Sequence, residues 1–337
     1  MKIGGIDLDR EVLVIAEIGN NHEGSFALAE EMVGLAAESG AQAVKFQTFK
    51  SEHYVSRKDT DRFNRLKSFE LGDRAFERLA AQARKAGLLF ISTPFDLESA
   101  RFLGPLVDAY KVSSSDNVFY PLLGKIAEAG KPVILSCGLA GLEDIAYSAA
   151  FLRQAWKRSG GKPQPDLAVL HCVTAYPVPP EEANLGAIRA MQGLGLTVGY
   201  SDHTLGIDAA VLSVALGARI IEKHFTLDKN HSSFRDHQIS ADPAEMGLLV
   251  RKVKEATVLL GSGEKIPQQS ELKNLTAVRR SIVAVRDMDA GETLCWEDLT
   301  WTRPAGGLAP GNEATLLGRR LGRPLKQGDW ITPDAFA

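Results

Sequence analysis

No stretch of the chain approaches the roughly 20 consecutive apolar residues that a membrane-spanning helix needs. The N-terminus, Met1-Lys-Ile-Gly-Gly, lacks the charged-then-apolar pattern of a secretory leader. Cysteine is scarce: Cys137, Cys172 and Cys295 are the three, and none stand close together in sequence. That argues against a disulfide scaffold and for free thiols in a reducing, cytoplasmic setting. Cys137 and Cys172 sit in apolar runs and read as small core residues rather than nucleophiles. Neither sign of charge dominates, with 39 basic side chains against 42 acidic ones. A protein for nucleic acid or an anionic membrane would carry a basic surplus or basic clusters. The chain also lacks a phosphate loop ending in Gly-Lys-Ser or Gly-Lys-Thr, a dinucleotide fingerprint after a strand, and a Gly-x-Ser-x-Gly elbow. An anionic substrate would therefore have to be met by individual lysines.

What the chain does have is a repeated short pattern. Eight β-rich apolar runs cover 12–19, 43–49, 88–95, 109–114, 132–138, 167–173, 198–205 and 220–226, each closing on Gly, Ser, Thr or charged residues. They are continuous rather than alternating, as expected for strands buried on both faces of a parallel sheet. Helix-like segments separate them. One starts after Ser25 and ends at Gly40; another starts at Asp242-Pro243, an N-cap with proline in the first helical position. Eight strand–helix units in about 260 residues match the count and length of an α/β (β/α)8 TIM barrel. A doubly wound open sheet is the alternative. The barrel is preferred because polar residues close every run, as they must when eight loops build one mouth; an open sheet would concentrate them at a switch point.

Two stretches depart from the alternation. Residues 51–68 are long and charged, and read as a mobile loop over the mouth: a lid, or an ordinary solvated loop. After 1–263 the pattern ends; 264–277 reads as a linker, and 278–337 as a small β-rich unit with strands near 280–285 and 299–304. So small a unit is marginal alone and is expected to pack on a barrel, its own or a partner's.

The polar strand ends carry the chemistry. Runs seven and eight each deliver one histidine, His203 and His224, just past the apolar part. Adjacent parallel strands lie about 5 Å apart, so the two imidazoles could share one divalent cation. Alternatively, both are satisfied strand-end histidines. Lys45 and Lys111 sit inside or just past apolar runs, where an unpaired charge is costly. Either they pair with Glu17 and Asp116, or they face a bound anion. Two lysines, several hydroxyls and two histidines at one mouth favour a site for a phosphorylated substrate plus a metal.

Seven motifs carry a resemblance: Glu-Ile-Gly-Asn-Asn-His-Glu-Gly (17–24), Val-Lys-Phe-Gln-Thr (44–48), Ser-Thr-Pro-Phe (92–95), Tyr-Lys-Val-Ser (110–113), Leu-His-Cys (170–172) with Tyr176-Pro177, Tyr-Ser-Asp-His-Thr (200–204) and Glu-Lys-His-Phe (222–225). Together they resemble the sialic acid synthase family: N-acetylneuraminate synthases and their legionaminic and pseudaminic acid relatives. The tail, with Arg-Arg-Ser-Ile-Val-Ala (279–284) and Arg303-Pro304, is similar to the antifreeze-like (SAF) domain those enzymes carry. The resemblance implies a transferase that condenses phosphoenolpyruvate with an open-chain N-acetylated amino sugar, with C–O cleavage and phosphate release. It implies a divalent cation, Mn2+ or else Mg2+ or Co2+, on His203 and His224. It implies phosphoenolpyruvate against Lys45, Thr93, Lys111, Ser114, Ser136 and Ser201, and Glu17 near the attacking water. Gln47, Tyr176 and Asp236 match sugar-contacting positions. Asp116 stands where the family has Glu, with a shorter reach toward the sugar hydroxyls. Arg303 matches an arginine that one subunit's tail lends to its neighbour's barrel, which implies a domain-swapped homodimer.

Two departures stand out. Phe-Arg-Asp-His (234–237) replaces a frequent Gly-Pro-Asp-His, and Ser-Cys-Gly (136–138) replaces Ser-Thr-Gly. Phe234 and Arg235 are expected to reshape the sugar-side wall, away from plain N-acetylmannosamine and toward a diacetamido sugar. Two rival readings remain. A Schiff-base aldolase would use Lys45 or Lys111 without a metal. A glycan- or ice-binding protein would need an aromatic platform, and Trp296, Trp301 and Trp330 show no repeat spacing.

Overall fold

The computed structural model describes residues 1–159 and 164–337. Its first compact unit, Met1–Gly261, is a closed barrel of eight parallel strands. The strands are β1 (Leu13–Gly19), β2 (Ala43–Thr48), β3 (Leu89–Pro94), β4 (Ala109–Val112), β5 (Val133–Ser136), β6 (Leu167–Cys172), β7 (Thr197–Asp202) and β8 (Ile220–His224). Each pairs with its sequence neighbour, and β8 pairs back on β1 with His224 opposite Glu17. The eight expected runs are these eight strands, and the open-sheet alternative falls.

Alternation sorts each strand into two layers, because successive side chains point to opposite faces. One set, including Val14, Val44, Phe90, Val133, Val169 and Ile221, joins the large apolar layer shared with the helices. The other fills the barrel: Leu13, Ile15, Ala43, Ile91, Ala109, Ile134, Ala168, Leu170 and Ile220. Ile3 and Leu8 belong to this inner cluster. Two residues further along the same parity, β1 reaches Glu17, β2 Lys45, β3 Thr93, β4 Lys111, β5 Ser136 and β8 Glu222 and then His224. The barrel interior is thus apolar at one end and polar at the other, and the polar end is where the strands finish.

At one inner position the barrel needs glycine. A Cβ on Gly199 would lie 2.5 Å from the Ile220 carbonyl oxygen and 2.5 Å from Leu170 Cδ2. β7 and β8 can approach only without it.

Helix starts follow ordinary capping. Ser25 accepts from the Leu28 N–H at the start of helix Phe26–Glu38, and Asp242 accepts from the Glu245 N–H ahead of Pro243–Leu260. The expectation for 51–68 needs correction: it is not a loop but two helices, Ser51–Tyr54 and Thr60–Phe69. Asp59 caps the second by accepting from the Arg62 N–H. Its buried face consists of Leu66 and Phe69 alone, so the sequence there looks fully solvated. Their apolar partners come from elsewhere: Phe49, Phe95, Tyr54 and Phe234.

The second compact unit is Ser262–Ala337. The stretch read as a linker holds two short helices, Gln269–Leu272 and Leu275–Val278. Strands β9 (Ser281–Ala284) and β10 (Leu299–Thr302) pair antiparallel, with Ile282 opposite Trp301. Ile282, Leu294, Leu299, Leu321, Leu325 and Ile331 form this unit's own core. No described helix is long and apolar enough to cross a membrane.

Candidate active site

The polar strand ends converge on one cavity of about 800 Å³. It is lined by Glu17, Lys45, Gln47, Thr93, Lys111, Ser114, Ser136, Tyr176, Ser201, His203, His224 and Asp236, all named from sequence. Of the thirteen named residues in the first unit, Asp116 does not line it. Asp116 sits in the turn Ser114–Asp116, where its carboxylate accepts from the Ser113 and Ser115 hydroxyls at 2.8 and 3.3 Å. Arg303 belongs to the second unit and donates from Nε to the Val278 carbonyl at 2.8 Å.

The lysines are paired, Lys45 with Glu17 as expected and Lys111 with a different carboxylate. Lys45 Nζ lies 2.9 Å from Glu17 and 3.7 Å from Glu222, while Lys111 Nζ lies 3.2 Å from Glu222. Asp116 is not the partner of Lys111; Glu222 serves both lysines and also accepts from Ser201 Oγ at 2.9 Å. All four charged groups are buried. Burial opposes the charge on Glu222, but Lys111 and Lys45 outweigh it and hold its pKa at about 2. Glu17 is pushed up, first by burial and further by Glu222, against the pull of Lys45. Lys111 is lowered, chiefly by burial. Burial would lower Lys45 too, but its two carboxylates outweigh that and raise it.

Reading the sequence placed Glu222 at a polar strand end but gave it no role. Its signal was present: it shares the inward parity of His224, and two buried lysines need two carboxylates. Cys172, expected as core, is buried but lines the cavity, with Sγ 3.8 Å from His203 Nδ1.

His203 and His224 meet as the strand argument required, with ring centroids 5.4 Å apart. His203 Nδ1 donates to the Val173 carbonyl at 2.9 Å, which leaves Nε2 as its lone-pair nitrogen. His224 Nδ1 is buried and has no hydrogen-bond partner among the described residues. Burial and the neighbouring His203 keep His224 well below its usual pKa, so it is neutral. An orphaned, neutral, buried imidazole beside an oriented one is a donor set that fits a divalent cation. No group of three or more His, Cys, Asp or Glu suited to a metal occurs among the described residues. Substrate and water would therefore fill the remaining positions.

The outer wall comes from the Thr60–Phe69 helix and from residues 232–236. Arg62, Arg65, Leu66 and Phe69 of the helix line the cavity opposite Phe234, Arg235 and Asp236. Phe69 meets Phe234 edge-on at 5.2 Å. The Arg235 guanidinium stands 4.7 Å over the Tyr176 ring, and its Nε lies 3.4 Å from Asp236 Oδ1. The departure at 234–235 is thus built into the cavity wall rather than into a distant loop.

Residues 32–265 match the NeuB family, and residues 279–337 match the SAF domain. The chain belongs to the NeuB family. An uncharacterized protein of Methanocaldococcus jannaschii is 42% identical over 320 residues, covering 94% of this chain and 92% of the relative. The N,N'-diacetyllegionaminic acid synthase of Campylobacter jejuni is 38% identical over 337 residues, covering 96% of this chain and 99% of the relative. Among solved structures, the N-acetylneuraminic acid synthetase of Leptospira borgpetersenii, in complex with citrate, superposes with a TM-score of 0.74 at 36% identity. That match covers 81% of this chain and 92% of the other. Pseudaminic acid synthase of C. jejuni and mouse N-acetylneuraminate-9-phosphate synthase are also relatives, at 33% and 30% identity. This NeuB-family chain is therefore an enzyme of the acid-synthase type, a barrel followed by a SAF domain, as the motifs implied.

Proposed function

We propose that this NeuB-family chain condenses phosphoenolpyruvate with an open-chain N-acetylated amino sugar to give a sialic-type 2-keto-3-deoxy acid and inorganic phosphate. The observation that carries this reading is the meeting of Lys45, Lys111, His203 and His224 in one cavity. That cavity has room for two small substrates. The Ser136 hydroxyl and His224 Nδ1 are both buried there without hydrogen-bond partners among the described residues. Such atoms call for a ligand.

Lys45, Lys111, Thr93, Ser114, Ser136 and Ser201 would hold the phosphate and carboxylate of phosphoenolpyruvate, cations and hydroxyls offsetting its charge. Gln47, Tyr176 and Asp236 would orient the sugar so that its aldehyde carbon faces the enol methylene. A divalent cation, Mn2+ by preference, held by His203 and His224, would supply Lewis-acid polarisation of that aldehyde. A C–C bond forms between the methylene and the aldehyde carbon, whose oxygen takes a proton. Water adds at the former enol carbon, and phosphate departs by C–O cleavage. Glu17 would take the water's proton, its raised pKa suiting a base.

The acceptor we favour is a diacetamido hexose, because Arg235 and Phe234 stand on the cavity wall beside Asp236. The reading includes a cytoplasmic setting and a domain-swapped homodimer in which one copy's Arg303 serves the other's cavity. A second reading draws on Lys111: burial lowers its pKa, the property a Schiff-base lysine needs. One experiment separates the two. Metal-stripped protein receives manganese, phosphoenolpyruvate and, in separate wells, N-acetylmannosamine and two diacetamido hexoses. Phosphate release that needs both metal and sugar is the expected result. No release from folded, manganese-loaded protein, with borohydride trapping of a carbonyl substrate, would favour the aldolase instead.

A further inference from the structure

The structure assigns Asn20 as an unrecognised acceptor-binding residue: its side-chain carbonyl takes a hydrogen bond from a neutral donor on the sugar. This rests on the synthase reading of the cavity.

Asn20 lines the cavity and is 5% exposed. Its Nδ2 donates to Gln47 Oε1 at 2.8 Å, and Gln47 Nε2 donates to Glu17 Oε1 at 3.2 Å. The Lys45 ammonium, 2.9 Å from the other Glu17 oxygen, holds this carboxylate as an acceptor, so Gln47 turns its amide nitrogen toward Glu17. Gln47 then presents its oxygen to Asn20, and Asn20 must answer with nitrogen. Asn20 Oδ1 is what remains, and it is buried without a donor among the described residues. Flipping either amide would set two oxygens against each other.

The backbone is shaped around this relay. The pairing of β1 with β2 shifts register between Glu17 and Gly19. Gly19 has φ +54°, and a Cβ there would lie 2.9 Å from Glu17 Oε1 and 3.3 Å from Gln47 Nε2. Glycine lets the chain curl over the two side chains and bring Asn20 onto the cavity wall. The same loop touches the outer helix, since a Cβ on Gly24 would meet the Ser68 carbonyl oxygen. Asn20 therefore sits with Gln47, the residue read as contacting the sugar.

The chemistry of the partner follows. Asn20 Oδ1 lies in a relay that already holds the oxygens of Gln47 and Glu17, so a phosphate or carboxylate would be repelled. A hydroxyl or an amide N–H supplies the missing donor. A site built to accept from a substrate donor discriminates against analogues lacking that donor.

The test is a kinetic series on the full-length, manganese-loaded protein, with N-acetylmannosamine, a diacetamido hexose and singly deoxygenated N-acetylmannosamines as acceptors. Asn20→Ala is expected to raise the acceptor KM about tenfold or more, while the KM for phosphoenolpyruvate stays within about twofold. For the one analogue that lacks the donor, wild type and Asn20→Ala should differ by less than twofold. Active wild type with an unchanged acceptor KM in Asn20→Ala overturns the assignment and leaves the synthase reading standing. So does an equal rise in both KM values, which would mark a structural role. A wild type that releases no phosphate with any acceptor overturns the synthase reading, and this assignment with it.

Discussion

Replacing Glu222 by Gln keeps the shape of the side chain and its place beside Ser201, but removes the one carboxylate shared by Lys45 and Lys111. The cluster changes from two cations and two anions to two cations and one anion. Lys111 is then left, among the described residues, without a carboxylate partner. The cost can be worked in two ways. A fall in the Glu222 pKa from 4.5 to about 2, at about 1.4 kcal/mol per tenfold in proton affinity, corresponds to about 3 kcal/mol. Removing one partner of a buried ion pair costs about 3–5 kcal/mol. Both point to a loss of roughly 3 kcal/mol, or about 6–12 °C in the melting temperature of the barrel. The assay is thermal and urea unfolding of wild type, Glu222→Gln, Lys111→Met and the double variant. The double variant removes a cation together with the anion, so it should recover at least about 2 kcal/mol relative to the sum of the singles. Additivity within about 0.5 kcal/mol would refute the claim that Glu222 and Lys111 neutralise one another in a buried site.

The two neighbouring carboxylates should give opposite slopes of stability against pH. Glu222, with its pKa depressed, contributes stability above about pH 4.5 that is lost as pH falls toward 2; Glu17, with its pKa raised, favours the folded state more as pH falls through the window above 4.5. Urea titrations at stepped pH should therefore show Glu222→Gln flattening the curve below 4.5 and Glu17→Gln flattening it above; the same effect from both variants would contradict the assignment. Phe69→Ala removes the edge-on contact with Phe234 that joins the outer helix to the 232–236 wall. It is expected to speed proteolysis within 51–69 and raise the acceptor KM several-fold, with the phosphoenolpyruvate KM nearly unchanged.

The barrel was legible because its signals are local. Each buried strand had to be an apolar run, and each run had to end where polar loops begin. The place of 51–68 over the mouth was expected, but the helical form of Thr60–Phe69 was not legible, for the opposite reason. That helix buries only Leu66 and Phe69, and the aromatics that receive them, Phe49, Phe95 and Phe234, are remote in sequence. With so narrow an apolar face, a charged helix and a solvated loop look alike.

Reading residues in order determined which strand ends carry chemistry. It named Lys45 and Lys111 as needing counter-charges, and it paired His203 with His224 because β7 and β8 are consecutive. Only closure of the barrel decided the partners. Once β8 docks on β1, His224 stands opposite Glu17, and Glu222 faces inward toward lysines on β2 and β4. Inward parity can be read from alternation along one strand. Which inward residues meet across the barrel depends on strand register and ring closure, and these are properties of the assembled sheet. The orientation of Asn20 belongs to the same class. A bulge, a glycine and the charge of Glu17 together decide which atom of that amide is left without a partner.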